Sequence, residues 1–347
     1  MKFSKLISKT IERSMHIDKN MICYGLGVND PKAVFGTTEN LFKKFGEKRV
    51  FDVPTSENAL TGIAVGAAIN KVRSITTHQR LDFFLLAMDQ LVNSAAKWHY
   101  MFDGKMNVPI TIRLIIGRGW GQGPTHSQSL QSWFAHIPGL KVVMPSLPEY
   151  GANLLYSSIF DPNPVLFIEH RWLHNIEIKK KNKFKKINIS KTKMVLPGKD
   201  ITIVSMSYLT IEAIEVAKYL SKKGIFCEVI DLVSANPIDY KGILKSVTKT
   251  KNLLVLDTSF PACSLASEIT SEVSRKLFKF LDKAPEKLTM PNFPVPTSFN
   301  LTKDFYIDKK KIALKILDIL EIKLKIDKNL FKSKYHDIPD ESFKGPF

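Results

Sequence analysis

Short apolar runs of strand length alternate with longer helical stretches along most of this chain, and that alternation restricts its fold more than any other feature. It predicts an α/β protein built on mostly parallel sheet, because parallel strands need a crossover between them. In the first half, Val50–Val53, Arg73–Thr77, Ile110–Ile116, Lys141–Met144 and Val165–Glu169 read as strands. Between them the pattern predicts helices near Val34–Phe45, Glu57–Asn70, Phe83–Tyr100, Ser127–His136 and Pro148–Phe160. The stretch Gly62–Ile69 is rich in small residues, which lets a helix approach a sheet or another helix closely.

The pattern breaks at Ile178–Lys193, a polar, lysine-rich segment that reads as an exposed linker. It then resumes. Asp200–Met206, Phe226–Asp231 and Asn252–Asp257 read as strands, and Thr210–Lys223, Tyr240–Thr248, Ser264–Phe280 and Lys309–Leu320 as helices. A chain of 347 residues suits two domains. The expected division is an N-terminal extension at 1–19, a first domain at 20–177, the linker at 178–195, a second α/β domain at 196–324 and a polar tail at 325–347. The terminal aromatics of that tail are expected to pack on a neighbouring subunit. There is no internal repeat.

Several classes are excluded early. No run approaches the ~20 apolar residues of a membrane span. The first twenty residues have neither an apolar signal core nor a small-residue cleavage site, so no secretion is expected and a cytoplasmic location is. The three cysteines, Cys23, Cys227 and Cys263, lack paired spacing, which argues against a disulfide framework or a zinc site. The formal net charge is +18, but eight of the 51 basic residues are arginine and the remaining 43 are lysines spread along the chain. Nucleic-acid readers concentrate arginine on one face, so the surplus reads as composition bias and no nucleic-acid partner is expected.

The common phosphate cradles are missing: no GxGxxG follows a strand, and there is no GxxxxGK[ST]. The run Gly117-Arg-Gly-Trp-Gly-Gln-Gly123 follows neither spacing, yet it sits between a strand and a helix with Arg118, Trp120 and Gln122 interleaved. Its glycines permit close backbone approach, so it is expected to line a site. No HExxH or Cys/His cluster points to a catalytic metal. By themselves, His126 reads as a cap or packing residue and Glu57 as a first-turn acid behind an Ser56 N-cap.

Taken together, separated motifs change that reading. Asp52-Val-Pro-Thr-Ser-Glu-Asn58, Gly62-Ile-Ala-Val-Gly-Ala-Ala68, Met88-Asp-Gln-Leu-Val-Asn-Ser-Ala-Ala-Lys97, His126-Ser-Gln128, His136-Ile-Pro-Gly-Leu-Lys-Val-Val143 and Asp161-Pro-Asn-Pro-Val-Leu-Phe-Ile-Glu169 occur in one order. With Cys227-Glu-Val-Ile-Asp-Leu232 and Asn236-Pro-Ile-Asp239, the chain closely resembles, from about residue 20 to 322, the beta subunit of thiamine-diphosphate-dependent 2-oxoacid dehydrogenases.

The resemblance implies a pyrimidine-binding α/β domain followed by a transketolase-type C-terminal domain. It also implies a separate alpha subunit, joined in an α2β2 heterotetramer, that holds the diphosphate and Mg²⁺ through a Gly-Asp-Gly…Asn motif absent here. The expected reaction is oxidative decarboxylation of a pyruvate-like or branched-chain 2-oxoacid, with acyl transfer to a lipoyl carrier. Glu57 then matches the carboxyl that hydrogen-bonds N1′ of the aminopyrimidine, Phe83 an aromatic packed on that ring, and His126 a histidine on the substrate and acyl-transfer path. His136 is expected to be structural. Ile110, Ser158, Ile159, Asp161 and Asn163 match positions through which some relatives hold potassium. The chain departs from the family at His78-Gln-Arg-Leu81, where many relatives are apolar, and at Asn236, where the family has arginine. His78, Arg80, Arg118 and Trp120 are therefore expected to contact substrate or the alpha subunit. Two alternatives stand beside the main reading: a carboligase acting on a polar, sugar-like substrate, and a non-catalytic assembly subunit.

Overall fold

In the computed structural model, residues 1–119, 121–178, 184–302, 304–326, 343, 345 and 346 are described. Two α/β units follow one another. The first is built on a seven-stranded sheet. Six of its strands, β1 (Ile22–Gly25), β2 (Val50–Asp52), β3 (Ser74–His78), β4 (Ile110–Ile116), β5 (Lys141–Val143) and β6 (Val165–His170), run parallel to one another. The second holds β7 (Lys193–Leu196), β8 (Ile201–Ser205), β9 (Cys227–Asp231), β11 (Leu253–Leu256) and β12 (Glu286–Leu288), in the order β12-β11-β8-β9-β7. The remaining strand, β10 (Ser234–Asn236), belongs by sequence to the second unit but pairs antiparallel with β5, so the first sheet reads β10-β5-β6-β4-β3-β1-β2.

The apolar run Ile110–Ile116 becomes the fully buried β4, flanked by β3 and β6, because a strand covered on both faces needs no polar alternation. Its one charged member, Arg113, lies fully buried against the carboxylate of Glu169 on β6, at 2.6 and 2.9 Å, and His174 meets the same carboxylate at 3.0 Å. Burial alone would raise the Glu169 carboxyl; Arg113 and His174 overturn that and hold it below its ordinary value. The pair locks two central strands together.

Several expectations are corrected. Residues 1–19 are not an appended extension. Phe3–Ile17 is a helix whose Phe3, Leu6, Ile7, Ile11 and Met15 recur every three or four residues and are buried in the core, with Gly151 of helix Pro148–Ile159 close against Phe3. Lys2 bridges to Glu177, which ties the helix to the end of the first unit. The linker is not exposed throughout. Residues 179–183 lie outside the described residues, but Ile178 and Ile189 are buried, and Lys193–Leu196 forms the antiparallel edge strand β7 on β9. The helix expected at Val34–Phe45 is two short turns, Ala33–Gly36 and Leu41–Phe45, separated by Asn40 in a left-handed conformation. The one expected at Phe83–Tyr100 is broken into Leu81–Phe84, a wide turn at Gln90–Ala95 and Ala96–Met101. The small-residue face of helix Glu57–Ile69 is approached at Gly62 by Gln90, whereas Gly66 faces open space. Most of the tail lies outside the described residues. Phe343, however, is buried in this chain's own core against Trp172 and Tyr208, not on a neighbour. No described helix is long and apolar enough to cross a membrane.

Candidate functional site

Strands β1, β2, β3, β4 and β6 are parallel, so their carboxyl ends open on one edge of the first sheet. Open α/β sheets bind ligands at that edge. The chain places its unusual residues there: Glu57 after β2, His78, Arg80 and Phe83 at and after β3, the glycine-rich run after β4, and His170 and Arg171 at and after β6.

Glu57 opens helix Glu57–Ile69 and is only 3% exposed. Its carboxylate makes no hydrogen bond among the described residues, although Tyr24 nearby bonds the backbone of the same helix at Leu60 (3.0 Å). Ser56 stands at the N-cap position without making a capping bond, so the expected side-chain cap is absent.

The loops after β3 and β4 are cross-linked three times. Arg80 donates to the amide oxygen of Gln122. Asp82 accepts from Gln128 through its backbone (3.3 Å) and side chain (2.9 Å). Phe83 meets His126 edge-on, with ring centroids 5.3 Å apart and planes at 88°. His126 is half-buried, and its Nδ1 lies 2.9 Å from the hydroxyl of Thr125, which leaves Nε2 as its outward atom. The structure thus brings Phe83 and His126 into contact, with Glu57 on the same sheet edge.

Other expected residues behave differently. His78 is buried on β3 against Phe84 at 4.8 Å, and burial pushes its pKa down to about 3. Both ring nitrogens of this neutral imidazole are buried without a hydrogen-bond partner among the described residues, and it offers no cationic contact. Arg118 is also buried. It donates to the carbonyl of Thr297 in the second unit (2.6 Å), and its own carbonyl accepts from Trp172 Nε1 (2.8 Å). It joins the units and is not a surface contact. Trp120 lies outside the described residues. His136 is exposed on a separate cleft of about 760 Å³, so it is not a packed structural residue.

The oxygens expected to hold potassium are grouped but engaged. The Ser158 carbonyl accepts from Thr111 (3.1 Å), and those of Ile159 and Asp161 from one nitrogen of Arg73 (2.6 and 2.9 Å). The Asp161 carboxylate is paired with Lys141 at 2.6 Å. Ile110 contributes as the first residue of β4, and Asn163 leaves a buried side-chain oxygen without a partner. Two of the chain's own cations already serve this loop, and a further positive charge beside them is disfavoured. The residues do not fit a bare potassium ion.

Sequence reasoning missed Arg171 and Phe35, and read Gln122 only as part of the glycine-rich run. Arg171 donates to Gln122 Oε1 (3.1 Å) and to the carbonyl of Pro346 (2.7 Å), and lies over the ring of Phe35 at 4.7 Å. The available signal was an arginine directly after the β6 run. The glycine run does line this place. A side chain at Gly119 would meet the Arg171 guanidinium at 2.6 Å, and one at Gly117, where φ is +100°, the His170 ring at 2.5 Å.

Fold and site together define a two-domain transketolase-type chain. Residues 1–175 match the family "Transketolase, pyrimidine binding domain" and residues 190–312 match "Transketolase, C-terminal domain". The chain belongs to this family, within the group formed by dehydrogenase and oxidoreductase beta subunits. It is 37% identical over 311 residues to the acetoin:2,6-dichlorophenolindophenol oxidoreductase subunit beta of Cupriavidus necator, covering 87% of this chain and 91% of that protein. It is 35% identical over 307 residues to the mitochondrial pyruvate dehydrogenase E1 component subunit beta-2 of Oryza sativa subsp. japonica, covering 87% and 82%. The fold also matches a split-gene transketolase solved as an inactive beta4 tetramer, with a TM-score of 0.76 at 18% identity over 93% of this chain and all of that one.

Proposed function

We propose that this chain is the beta subunit of a thiamine-diphosphate-dependent 2-oxoacid dehydrogenase. It acts with a separate alpha subunit in an α2β2 assembly and delivers the acyl group to a lipoyl carrier. The observation that carries the reading is Glu57, a residue only 3% exposed whose carboxylate makes no hydrogen bond among the described residues. A carboxylate on a largely buried residue, left unengaged at the edge where open α/β sheets bind ligands, fits a group supplied from outside the chain.

The aminopyrimidine of thiamine diphosphate suits that place. Glu57 supplies a carboxyl for N1′, and Phe83 a half-buried ring face. When bound, the thiazolium of the cofactor supplies the electron sink for decarboxylation. Glu57 would hydrogen-bond N1′ of the bound aminopyrimidine and share a proton with it. His126, oriented by Thr125 and by the edge of Phe83, would offer a ring nitrogen for proton transfer to a bound substrate. The diphosphate and Mg²⁺ fall to the alpha subunit, since this chain carries no Gly-Asp-Gly…Asn motif. The second reading, carboligation to a polar acceptor, keeps the same residues and draws on the arginines at the same edge.

Calorimetry with thiamine diphosphate and Mg²⁺ tests the reading on this chain alone and on the chain co-expressed with an alpha subunit. Tight binding only in the mixed complex is expected. Tight binding by this chain alone would overturn the division of labour. Lipoyl reduction in the presence of a 2-oxoacid separates the dehydrogenase from the carboligase.

A further inference from the structure

Arg171 and Trp172 stand side by side in the short turn that follows β6, and each of them holds the glycine-rich run. Arg171 donates to the amide oxygen of Gln122 (3.1 Å), and its guanidinium fills the place where a side chain at Gly119 would have to go. Trp172 donates through Nε1 to the carbonyl of Arg118 (2.8 Å). The same two residues also hold a segment from far along the chain. Arg171 Nε donates to the carbonyl of Pro346 (2.7 Å), and Trp172 packs on Phe343 with ring centroids 5.8 Å apart. Phe343 meets Tyr208 edge-on at 5.8 Å as well, and is only 1% exposed.

The run needs support from outside itself. Four of the seven residues from 117 to 123 are glycine, and Gly117 and Gly121 take φ of +100° and +66°. Glycine loses more backbone freedom on folding than any other residue, so such a run fixes its own shape poorly. Its own bonds reach only a few residues: the Gln122 N–H to the Gly119 carbonyl (3.0 Å), the His126 N–H to the Gly123 carbonyl (3.2 Å) and the Ser127 hydroxyl to the Gln122 carbonyl (3.1 Å). Yet the run leads directly to His126. A group that moves a proton in the reaction loses most of its effect when displaced by about 1 Å.

The distant segment supplies two kinds of hold. Phe343 is an apolar anchor, seated against Trp172 and Tyr208. Pro346 is a polar one, and it fixes the rotation of a guanidinium. With Nε on Pro346, a terminal nitrogen on Gln122 and the Phe35 ring 4.7 Å away, the plane of Arg171 is set from three directions. We propose that Phe343 and Pro346 are positioning residues of the active site. The segment that carries them is a strap: it braces Arg171 and Trp172, and through them the glycine-rich run that places His126. Releasing the strap loosens the run and lowers turnover while both sheets stay folded. The bracing stands on the contacts alone; its effect on turnover rests on the thiamine-dependent reading.

The test compares the full chain with one that stops after residue 342, each in complex with an alpha subunit. Backbone hydrogen exchange, read by mass spectrometry over residues 117–128, reports on the run apart from any reaction. Exchange there is expected to be at least about tenfold faster in the shortened chain, with β4 and β8 unchanged as the check on folding. Decarboxylation of pyruvate and 2-oxobutyrate is followed with a dye acceptor. Turnover is expected to fall by about ten- to a hundredfold, in kcat more than in KM, because the lost placement of His126 acts on the transition state. A merely structural strap would lower the melting temperature and leave both readouts at the parent values. Phe343→Leu, which puts an apolar anchor back in the same place, should recover most of both.

Parent-like exchange over 117–128 together with parent-like kcat would overturn the inference and leave the thiamine-dependent reading intact. Faster exchange with an unchanged kcat would overturn the positioning role, since the run would then be braced to no catalytic end. Faster exchange in a complex that decarboxylates neither probe would sustain the bracing and sink the reaction assigned to the site. Should the shortened chain unfold, Arg171→Lys decides: it keeps Phe343 seated and the charge in place but loses the fork between Pro346 and Gln122. Faster exchange over 117–128 in that variant supports the strap, and exchange at the parent rate overturns it.

Discussion

At the end of β9, in the second unit, the buried Asp231 accepts bonds from the hydroxyls of Tyr150 and Ser146 in the first unit and from the backbone N–H of Val233 (3.0 Å). Just beyond β11, Asp257 likewise accepts from Gln131 of the first unit (2.7 Å) and from the backbone N–H of Ser259 and Ala266. At the matching edge of the first unit, Glu57 accepts from nothing among the described residues, and Arg80 and Arg171 share a neutral amide. At these two edges both acids of the second unit are engaged by hydrogen bonds, whereas the Glu57 carboxylate is engaged by none among the described residues. The acids of the second unit bolt the units together, while Glu57 in the first unit is left unengaged by the described residues. Satisfaction of buried charge, more than its presence, is what distinguishes the two edges.

Glu57→Gln tests the contrast most strongly. Turnover of the complex should fall by about 10²–10⁴-fold, the range of a lost general acid–base group, with no drop in melting temperature, because no internal bond is removed. Full activity in that variant would erase the contrast. Glu169→Gln should do the reverse. It strands Arg113 in the core and should lower unfolding free energy in urea by about 3–5 kcal/mol. A near-neutral result would mean that the buried pair is not what ties β4 to β6.

Asp231 sharpens the comparison through pH. Burial raises its carboxyl from 3.8 to about 6, against the opposing pull of its hydrogen bonds and of Lys193. The folded state therefore holds a proton that the unfolded chain has released between those values. The stabilisation is fully present below about pH 4 and is lost as pH rises through about 6, at about 1.4 kcal/mol per unit of pKa difference. Asp231→Asn should flatten that slope in denaturation measured across the window; an unchanged slope would exclude Asp231 as its source. The smallest effect is at the cysteines. Cys263 is exposed and should label with a maleimide in the native state, whereas Cys23 and Cys227, with thiols pushed up to about 12 by burial, should label only on unfolding.

Legibility followed how local the physical cause is. Strands β4 and β6 could be read directly because each is an apolar run buried on both faces. The strands β7 and β10 could not. Their residues, Lys-Met-Val-Leu and Ser-Ala-Asn, carry little strand signal, and a partner strand supplies the reason for their conformation. Helix Phe3–Ile17 has the right periodicity, but its lysines and polar residues masked the buried stripe. Glu57, Phe83 and His126 emerged only from motifs taken in order, since each alone is an ordinary residue. Arg171 escaped both routes: a single arginine after a strand carries no pattern, and its meaning arises where three loops converge.

The placement of β10 bears on how this protein could be taken apart or recombined. A cut in the segment between 178 and 190 looks like the natural joint, yet the fragment before it would lack Ser234–Asn236 and expose the edge of β5, together with the Leu140 and Val142 carbonyls that Asn236 and Ser234 cover. A bare parallel edge invites pairing with other chains. The halves are consequently poor interchangeable parts: a chimera or split design that keeps the first sheet closed has to carry the 234–236 ribbon with it.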